Sequence, residues 1–402
     1  MTSATVAEQV AEQVAGPDQP PFSLMQGGLL HRAARTLGLP PGTGGLIYLG
    51  LGLAVVTWLP LLALAAWEGT LVSGRTVTFL ASTSVHVRLL LSIPLFFAAE
   101  AAFDLRVGQV LRALADSEMV PEHAQPEFRR AIARAARWRD RGVIEFAAVA
   151  ITILLAVQGV RSELPAAVST WRYDLAGQLN LAGWWYVAVT IPIYQFLMLR
   201  WVVHLTIWAW LLRQIARLDL RLMPTHPDRV GGLGILGVAH VALAPLSFAL
   251  SAILAADYAE QLRYASANVR EVFIRLGLAN TASTLALAGP LMMFMPRLVD
   301  TRQRGLLEYS DLASAYTRTF DDKWLRGANP SHEPLLGSAD LQSLADLNSS
   351  FGVIQQMRVV PISRAQMISL ALAAAAPAVP LIHYVMPFDE LLIRGARTLL
   401  SI

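Results

Sequence analysis

Residues 184–212 read WWYVAVTIPIYQFLMLRWVVHLTIWAWLL, a run that is long and apolar enough to cross a bilayer as one helix. Aromatic residues stand at both ends, as they do at the two headgroup levels of a membrane, with Trp184, Trp185 and Tyr186 at one and Trp208 and Trp210 at the other. The hydrocarbon span is therefore predicted at roughly Val187 to Ile207. Arg200 and His204 lie inside this span, on one helical face. An arginine near the bilayer centre costs about 2.5–3.5 kcal/mol, so Arg200 is expected to face protein or water. The stretch predicts a membrane protein with a polar interior.

Composition supports this class. Of 402 residues, 55% are hydrophobic and 15% are charged, and the mean hydropathy is +0.48. A soluble domain carries about 25% charged residues. The chain has no cysteine, which excludes disulfides, thiolate nucleophiles and cysteine metal sites. No HExxH, EF-hand, GxSxG, P-loop or Walker pattern is present either, so we predict no catalytic residue, no metal site and no cofactor.

The hydropathy pattern predicts an all-α fold, a polytopic transmembrane bundle of about seven spans with a small cytoplasmic helical layer. The last span contains several prolines and could instead be a re-entrant hairpin. The predicted spans are Leu46–Trp67, Arg88–Phe103, Val143–Val160, roughly Val187–Ile207, Ile235–Ala256, Leu276–Met295 and Ile368–Pro387.

The chain then divides into six regions. Residues 1–45 are predicted to be a mostly disordered tail, and 104–142 and 297–365 to be cytoplasmic helices that pack on each other. The remaining regions are 46–103 (spans one and two), 143–296 (spans three to six) and 366–402 (last span and an amphipathic tail).

Basic residues predict the orientation. One set of alternate loops carries 22 lysines and arginines and the other set carries 8. The richer set is expected in the cytoplasm, which places the N-terminus inside. The arginine-rich helix at 129–141 is interpreted as a contact with anionic lipid headgroups. Nucleic acid is not expected as a partner, because no supporting fold or aromatic platform accompanies these arginines.

Five ionisable residues fall at similar predicted depths within the spans, which suggests one polar cluster. A transport interpretation makes it a water-filled vestibule. A structural interpretation makes it a salt bridge of Arg200 with Glu145 or Glu100 that fixes the packing of the helices. The cluster comprises Arg200, His204, His240, Glu145 and Glu100.

A glycine-rich loop precedes the fifth span. Thr225 and Asp228 have capping-box spacing, which favours a structural role. The alternative is an anion held by backbone N–H groups. Gly232, Gly234 and Gly237 match GxGxxG, but no strand precedes them as a dinucleotide site requires. The loop residues singled out are Thr225, His226, Asp228, Arg229, Gly231, Gly232 and Gly234.

Four stretches resemble a group of uncharacterised bacterial multi-pass membrane proteins. The resemblance implies a bacterial inner-membrane setting and no activity. The stretches are HPDRVGGLG from His226, EYSDLASAYTRTFDDKWLRG from Glu308, LLGSADLQSLADL from Leu335 and MRVVP from Met357.

Two functions follow as hypotheses. The first is a channel or carrier for a small ion or anionic solute, with Arg200, His204 and His240 along its pathway. The second is a non-transporting scaffold or sensor whose cytoplasmic helices bind a partner. A lipid-modifying enzyme is disfavoured because no nucleophile or metal set is visible. Besides the lipid bilayer, a homo-oligomeric partner is left open.

Overall fold

The computed structural model describes residues 23–25, 36, 38, 43–140, 151–152, 169–174, 176–326 and 337–384. These residues are mainly helical, and their only β pairing is two isolated bridges. The predicted all-α class is confirmed. The helices are α1 (Thr43–Trp67), α2 (Thr83–Asp116), α3 (Gln125–Arg139), α4 (Leu181–Arg217), α5 (Gly234–Val241), α6 (Ala244–Tyr264), α7 (Val269–Ala288), α8 (Met295–Trp324), α9 (Ala339–Gln355) and α10 (Arg364–Ala375).

Six helical segments in the described part of the chain are long and apolar enough to cross a membrane. They are α1, α2, α4, α5 with α6, α7 with α8, and α10 with the 3₁₀ segment Ala376–Tyr384 that follows it. These correspond to six of the seven predicted spans. The remaining prediction, Val143–Val160, lies outside the described residues. Six such segments indicate a multi-pass membrane protein.

The most enclosed helices are α2 and the α5–α6 pair. Of the residues in their most apolar stretches, 50% and 56% are buried, compared with 28% in the corresponding stretch of α4. α2 packs along α1 on one side and against α6 on another. Its aromatic side chains Phe96, Phe97 and Phe103 are almost completely buried. The long apolar helix α4 thus lies against the core, while α2 runs through it.

The connecting segments gather at two opposite ends of the bundle. At the end we call the arginine-rich end, segments 117–124, 218–233 and 356–363 meet, and the N–H of Arg221 donates to the carbonyl of Met119 at 2.9 Å. At the opposite end, Val77 pairs with Thr170. Alternate connections are thereby separated, as a multi-pass topology requires.

Two helices continue beyond the predicted span boundaries, because the apolar periodicity continues there. The second span was predicted to end at Phe103, but α2 continues to Asp116, with Val107 and Leu114 facing the core. The first part of region 104–142 is therefore a continuation of the same helix.

The fifth predicted span, Ile235–Ala256, differs in two ways. It is interrupted at Ala242 and Leu243, where Pro245 in the first turn of α6 leaves α5 as a separate short helix. It also continues to Tyr264, well beyond the predicted end. This extension brings carboxylates of α6 into the bundle.

The predicted pairing of the two cytoplasmic regions is wrong. α3 packs against α4, where its buried face of Phe128, Ile132 and Ala135 meets the core. α8 instead pairs with α9, and Tyr316 of α8 donates to the carbonyl of Asp340 at 2.9 Å. α8 also continues from α7 through a short 3₁₀ segment, Gly289–Phe294, rather than starting as a separate cytoplasmic helix.

The last apolar segment follows α6 in one direction as far as Tyr384. It starts against α5, where a Cβ added at Gly237 would lie 2.5 Å from the carbonyl oxygen of Pro361. Farther along, Leu381 packs with Ala255 of α6 and Leu276 of α7. This course agrees with a span rather than a hairpin through the described residues.

Candidate functional site

A buried ion pair joins α2 to α4 in the half of the bundle nearer the arginine-rich end. Nη2 of Arg200 donates to Oε1 of Glu100 at 2.6 Å, and Nη1 donates to Oε2 of the same carboxylate. The two side chains are 5% and 1% exposed. The predicted contact of Arg200 with Glu100 is confirmed, whereas Glu145 lies outside the described residues. Bidentate pairing of this kind gives both strength and a fixed geometry.

Part of the N-terminal region is inserted over this pair. The carbonyl oxygen of Met25 accepts a hydrogen bond from Nη2 of Arg200 at 3.0 Å. Asp104, one helical turn after Glu100, accepts three more, from the hydroxyl of Ser23 at 2.6 Å and from the next two backbone N–H groups at 2.7 and 3.0 Å. We call Ser23–Met25 the N-terminal plug.

The plug is also held by apolar packing and by α3. Leu24 and Met25 are 0% and 1% exposed. Arg139 of α3 donates to the carbonyl of Ser23. The predicted disordered tail at 1–45 is therefore corrected for these residues, which form part of the core. Three residues are too few to show a periodicity, and the only sequence signal was the short apolar island FSLM after the polar stretch GPDQPP.

The structure places His240 in an aromatic environment rather than on a polar path. Its Nδ1 lies 2.9 Å from the carbonyl oxygen of Leu236, which requires that Nδ1 carry the proton, and Nε2 accepts from the indole of Trp208 at 3.4 Å. The ring also packs near Phe103, with centroids 6.5 Å apart. With both nitrogens engaged as a neutral tautomer, His240 is a satisfied core histidine.

His204 lies one turn from Arg200 on α4 and is likewise buried. Arg200, His204, His240 and Glu100 do not line the open cavities formed by described residues around Asp219, Asn280 and Gln214. The five residues singled out from the sequence therefore separate into the Arg200–Glu100 ion pair, the buried His204 one turn from it, the aromatic-core His240 and the undescribed Glu145.

The glycine-rich loop is organised by Asp228. Its carboxylate accepts from the N–H groups of Val230, Gly232 and Gly234 at 2.9, 3.1 and 2.8 Å. Burial raises the pKa of Asp228, but these three donors and His226 outweigh it and lower that pKa below its usual value. The loop donors thus already bind an anion supplied by the chain itself.

The predicted capping box of Thr225 and Asp228 is wrong in detail, because α5 begins at Gly234 and Asp228 caps it from the loop. The glycines are structural, as interpreted from the sequence. Gly231 and Gly232 have φ angles of 67° and 100°, which favour glycine, and Arg229 shares this left-handed region at 58°.

A second charged group lies toward the opposite end and was missed in the sequence. Nη2 of Arg88 on α2 lies 3.2 Å from both carboxylate oxygens of Asp257 on α6. Arg88 also donates to the hydroxyl of Tyr186 on α4 and stacks over the ring of Tyr194 at 5.4 Å. This group joins three helices.

Local helix geometry helps to form this group. Arg88 and Tyr186 both lie in π-helical turns, Val87–Ser92 and Tyr186–Thr190. One turn farther along α6, Glu260 accepts from the hydroxyl of Ser82 at 3.1 Å and from the N–H of Ser84 at 2.8 Å. A signal for Asp257 and Glu260 existed, since no glycine or proline separates them from the preceding apolar helix.

No family model matches this chain, and comparisons with curated proteins and with solved structures give no match.

Proposed function

We propose that this chain is an integral membrane transport protein, a channel or carrier for a small ion or anionic solute, whose pathway is closed by the N-terminal plug. The observation that carries the proposal is the set of hydrogen bonds made by Ser23–Met25 to Arg200 and Asp104. A tripeptide held in this way occupies the positions that water or a polar solute would take at these charged side chains.

Removal of the plug would leave a polar site on α2 and α4. Arg200 keeps its charge, because a guanidinium does not lose its proton in proteins, and it still holds Glu100. Asp104 would lose three hydrogen-bond donors, and Arg200 would lose the carbonyl of Met25 as an acceptor. Because a charged group without partners is strongly disfavoured in an apolar interior, water or solute would be drawn in. The pathway then includes Arg200, Asp104 and His204 and leaves out His240.

The scaffold or sensor function is retained as the alternative because of the α8–α9 hairpin. None of the described residues in 306–326 and 337–353 is buried, so this hairpin offers most of its surface to a partner. Flux measurements separate the two functions.

We also propose that the arginine-rich end faces the cytoplasm of a bacterial inner membrane. Support comes from the loop arginines and from the resemblance described above. The N-terminal plug would then close the pathway from inside.

A pair of single-cysteine variants tests this orientation. Asp116→Cys and Ser169→Cys lie at opposite ends, and both positions are exposed. Because the natural chain has no cysteine, each variant carries one thiol. We expect an impermeant maleimide added to intact cells to label Ser169→Cys only, and Asp116→Cys only after the membrane is opened. The reverse pattern would invert the proposed orientation.

The plug itself is tested by Leu24→Ala/Met25→Ala. Truncating two fully buried side chains costs about 2 kcal/mol or more at each site, so the plug should be released far more often. We expect chloride or proton entry into reconstituted vesicles to rise about tenfold or more, measured with entrapped halide-sensitive and pH-sensitive dyes.

The matched control is Leu285→Ala/Met292→Ala. It makes the same two truncations at positions that are 59% and 56% exposed. Its flux should equal that of the wild type. Equal, background-level flux of both ions in the wild type and in a folded plug variant would refute transport of these ions through a plugged pathway and leave the scaffold function.

A further inference from the structure

We propose that a groove between α3 and α4 binds the phosphate of an anionic lipid headgroup. The groove encloses about 210 Å³ at the arginine-rich end. Three guanidinium groups surround it, those of Arg130, Arg134 and Arg217, and all three residues are exposed. This inference is independent of the transport proposal, because no plug residue and no member of the buried ion pair takes part.

The three arginines are not neutralised within the described part of the chain. None of the ion pairs formed there involves Arg130, Arg134 or Arg217. Glu127 is the single acidic residue of the groove wall, so the four charged groups carry a net charge of two positive units. Elsewhere at this end arginines do find partners, as Arg221 does with Glu118 at 3.2 Å. A cavity walled by uncompensated guanidinium groups selects an oxyanion.

The neighbouring aromatic residues favour a lipid over a free anion. Trp210 lines the groove from α4, packs against Trp138 with ring centroids 4.5 Å apart and ring planes tilted by 51°, and lies under Arg134 at 5.9 Å. Tryptophan near the end of a membrane-spanning helix is placed at headgroup level. α4 extends only to Arg217, so the groove lies within the last two turns of a spanning helix. A lipid phosphate in the adjacent leaflet is at this height.

Gln214 adds a side-chain amide to the lining of the groove. The amide N–H can donate to a second phosphate oxygen or to a glycerol hydroxyl, and the amide oxygen can accept from that hydroxyl. A guanidinium group can only donate. We therefore assign the site to an anionic phospholipid, with phosphatidylglycerol as the probe.

The test uses the purified full-length chain in detergent. Phosphatidylglycerol, phosphatidylcholine with the same acyl chains, or inorganic phosphate is titrated in, and bound lipid is counted by native mass spectrometry while Tm is followed. The site variant is Arg130→Gln/Arg134→Gln/Arg217→Gln. We expect its affinity for phosphatidylglycerol to fall roughly a hundredfold, about fivefold for each arginine.

The matched control is Arg129→Gln/Arg137→Gln/Arg213→Gln. It removes the same charge from the same two helices at exposed positions outside the groove. We expect it to retain affinity within a few-fold of the wild type. If the triple site variant does not fold, Arg134→Gln alone is measured and should weaken binding about fivefold.

Three results would overturn the proposal. Equal losses in the two triple variants would reduce the groove to a diffuse basic surface. Equal binding of phosphatidylcholine would show that headgroup charge is not recognised. Equal stabilisation by inorganic phosphate would assign the site to a free anion.

Discussion

Glu100→Gln is expected to destabilise the protein by about 3–5 kcal/mol, one of the two largest effects we predict for a single substitution. The change leaves Arg200 buried, charged and without the carboxylate that it holds through both Nη atoms. Removing one partner of a buried pair costs about this much, because the remaining charge is uncompensated. A guanidinium cannot escape this cost by losing its proton. Unfolding in detergent, by heat or by denaturant, measures the change.

The double variant Arg200→Met/Glu100→Gln should recover most of the lost stability. An apolar replacement of a buried pair is often neutral, since both charges and their desolvation are removed together. The carbonyl of Met25 would still lose its donor, which we expect to cost about 1 kcal/mol. Recovery to within that margin would show that the destabilisation arises from the isolated charge.

An exposed pair provides the control. Glu118 and Arg221 form a single guanidinium–carboxylate contact at 3.2 Å, with side chains that are 82% and 65% exposed. Glu118→Gln should change stability by less than about 1 kcal/mol. If Glu100→Gln were no more destabilising than Glu118→Gln, the Arg200–Glu100 contact would not be buried in the folded protein.

The Arg200–Glu100 pair shows what a sequence can predict about such a site. A fixed positive charge within an apolar span requires a partner, and few carboxylates lie at the same depth. Helix length and topology therefore narrowed the partner of Arg200 to Glu100 or Glu145, and the structure selects Glu100 among the described residues. The insertion of Ser23–Met25 over this pair could not be predicted in the same way. Contacts between residues about 80 positions apart, such as Leu24 with Asp104, leave no local pattern in the sequence.

Helix existence was likewise predictable and helix ends were not. The apolar runs correspond to six helical segments of the described chain, but the predicted spans ended just before Asp104 in α2 and just before Asp257 in α6. Inside a multi-helix bundle, charged residues can continue a span when another helix neutralises them. Arg88 and Asp257 neutralise each other in this way. Because they lie on different helices, the sequence of either helix alone does not reveal the pair. Tertiary pairing thus allows α6 to continue past Asp257 inside the bundle.

Asp257→Asn is the second substitution expected to have a large effect, and it tests the extension of α6 directly. Arg88 and Asp257 have side-chain exposures of 12% and 16%, so this pair is slightly more accessible than that of Arg200. Arg88 would keep Tyr186 and the ring of Tyr194, which partly compensate its charge. We therefore expect a loss of about 2–3 kcal/mol, somewhat below the cost of Glu100→Gln.

The control for Asp257→Asn is Glu271→Gln, which removes the carboxylate partner of Arg275 near the start of α7. Both of these side chains are 62% exposed, and the pair is an i,i+4 contact on one helix surface. Its loss should cost less than about 0.5 kcal/mol in the same unfolding measurement. An equal, small effect of both substitutions would indicate that α6 ends near Ala256 and that Asp257 faces solvent. A large effect of Asp257→Asn alone, relieved by Arg88→Met in the double variant, would establish that the buried pair joins α2 to α6.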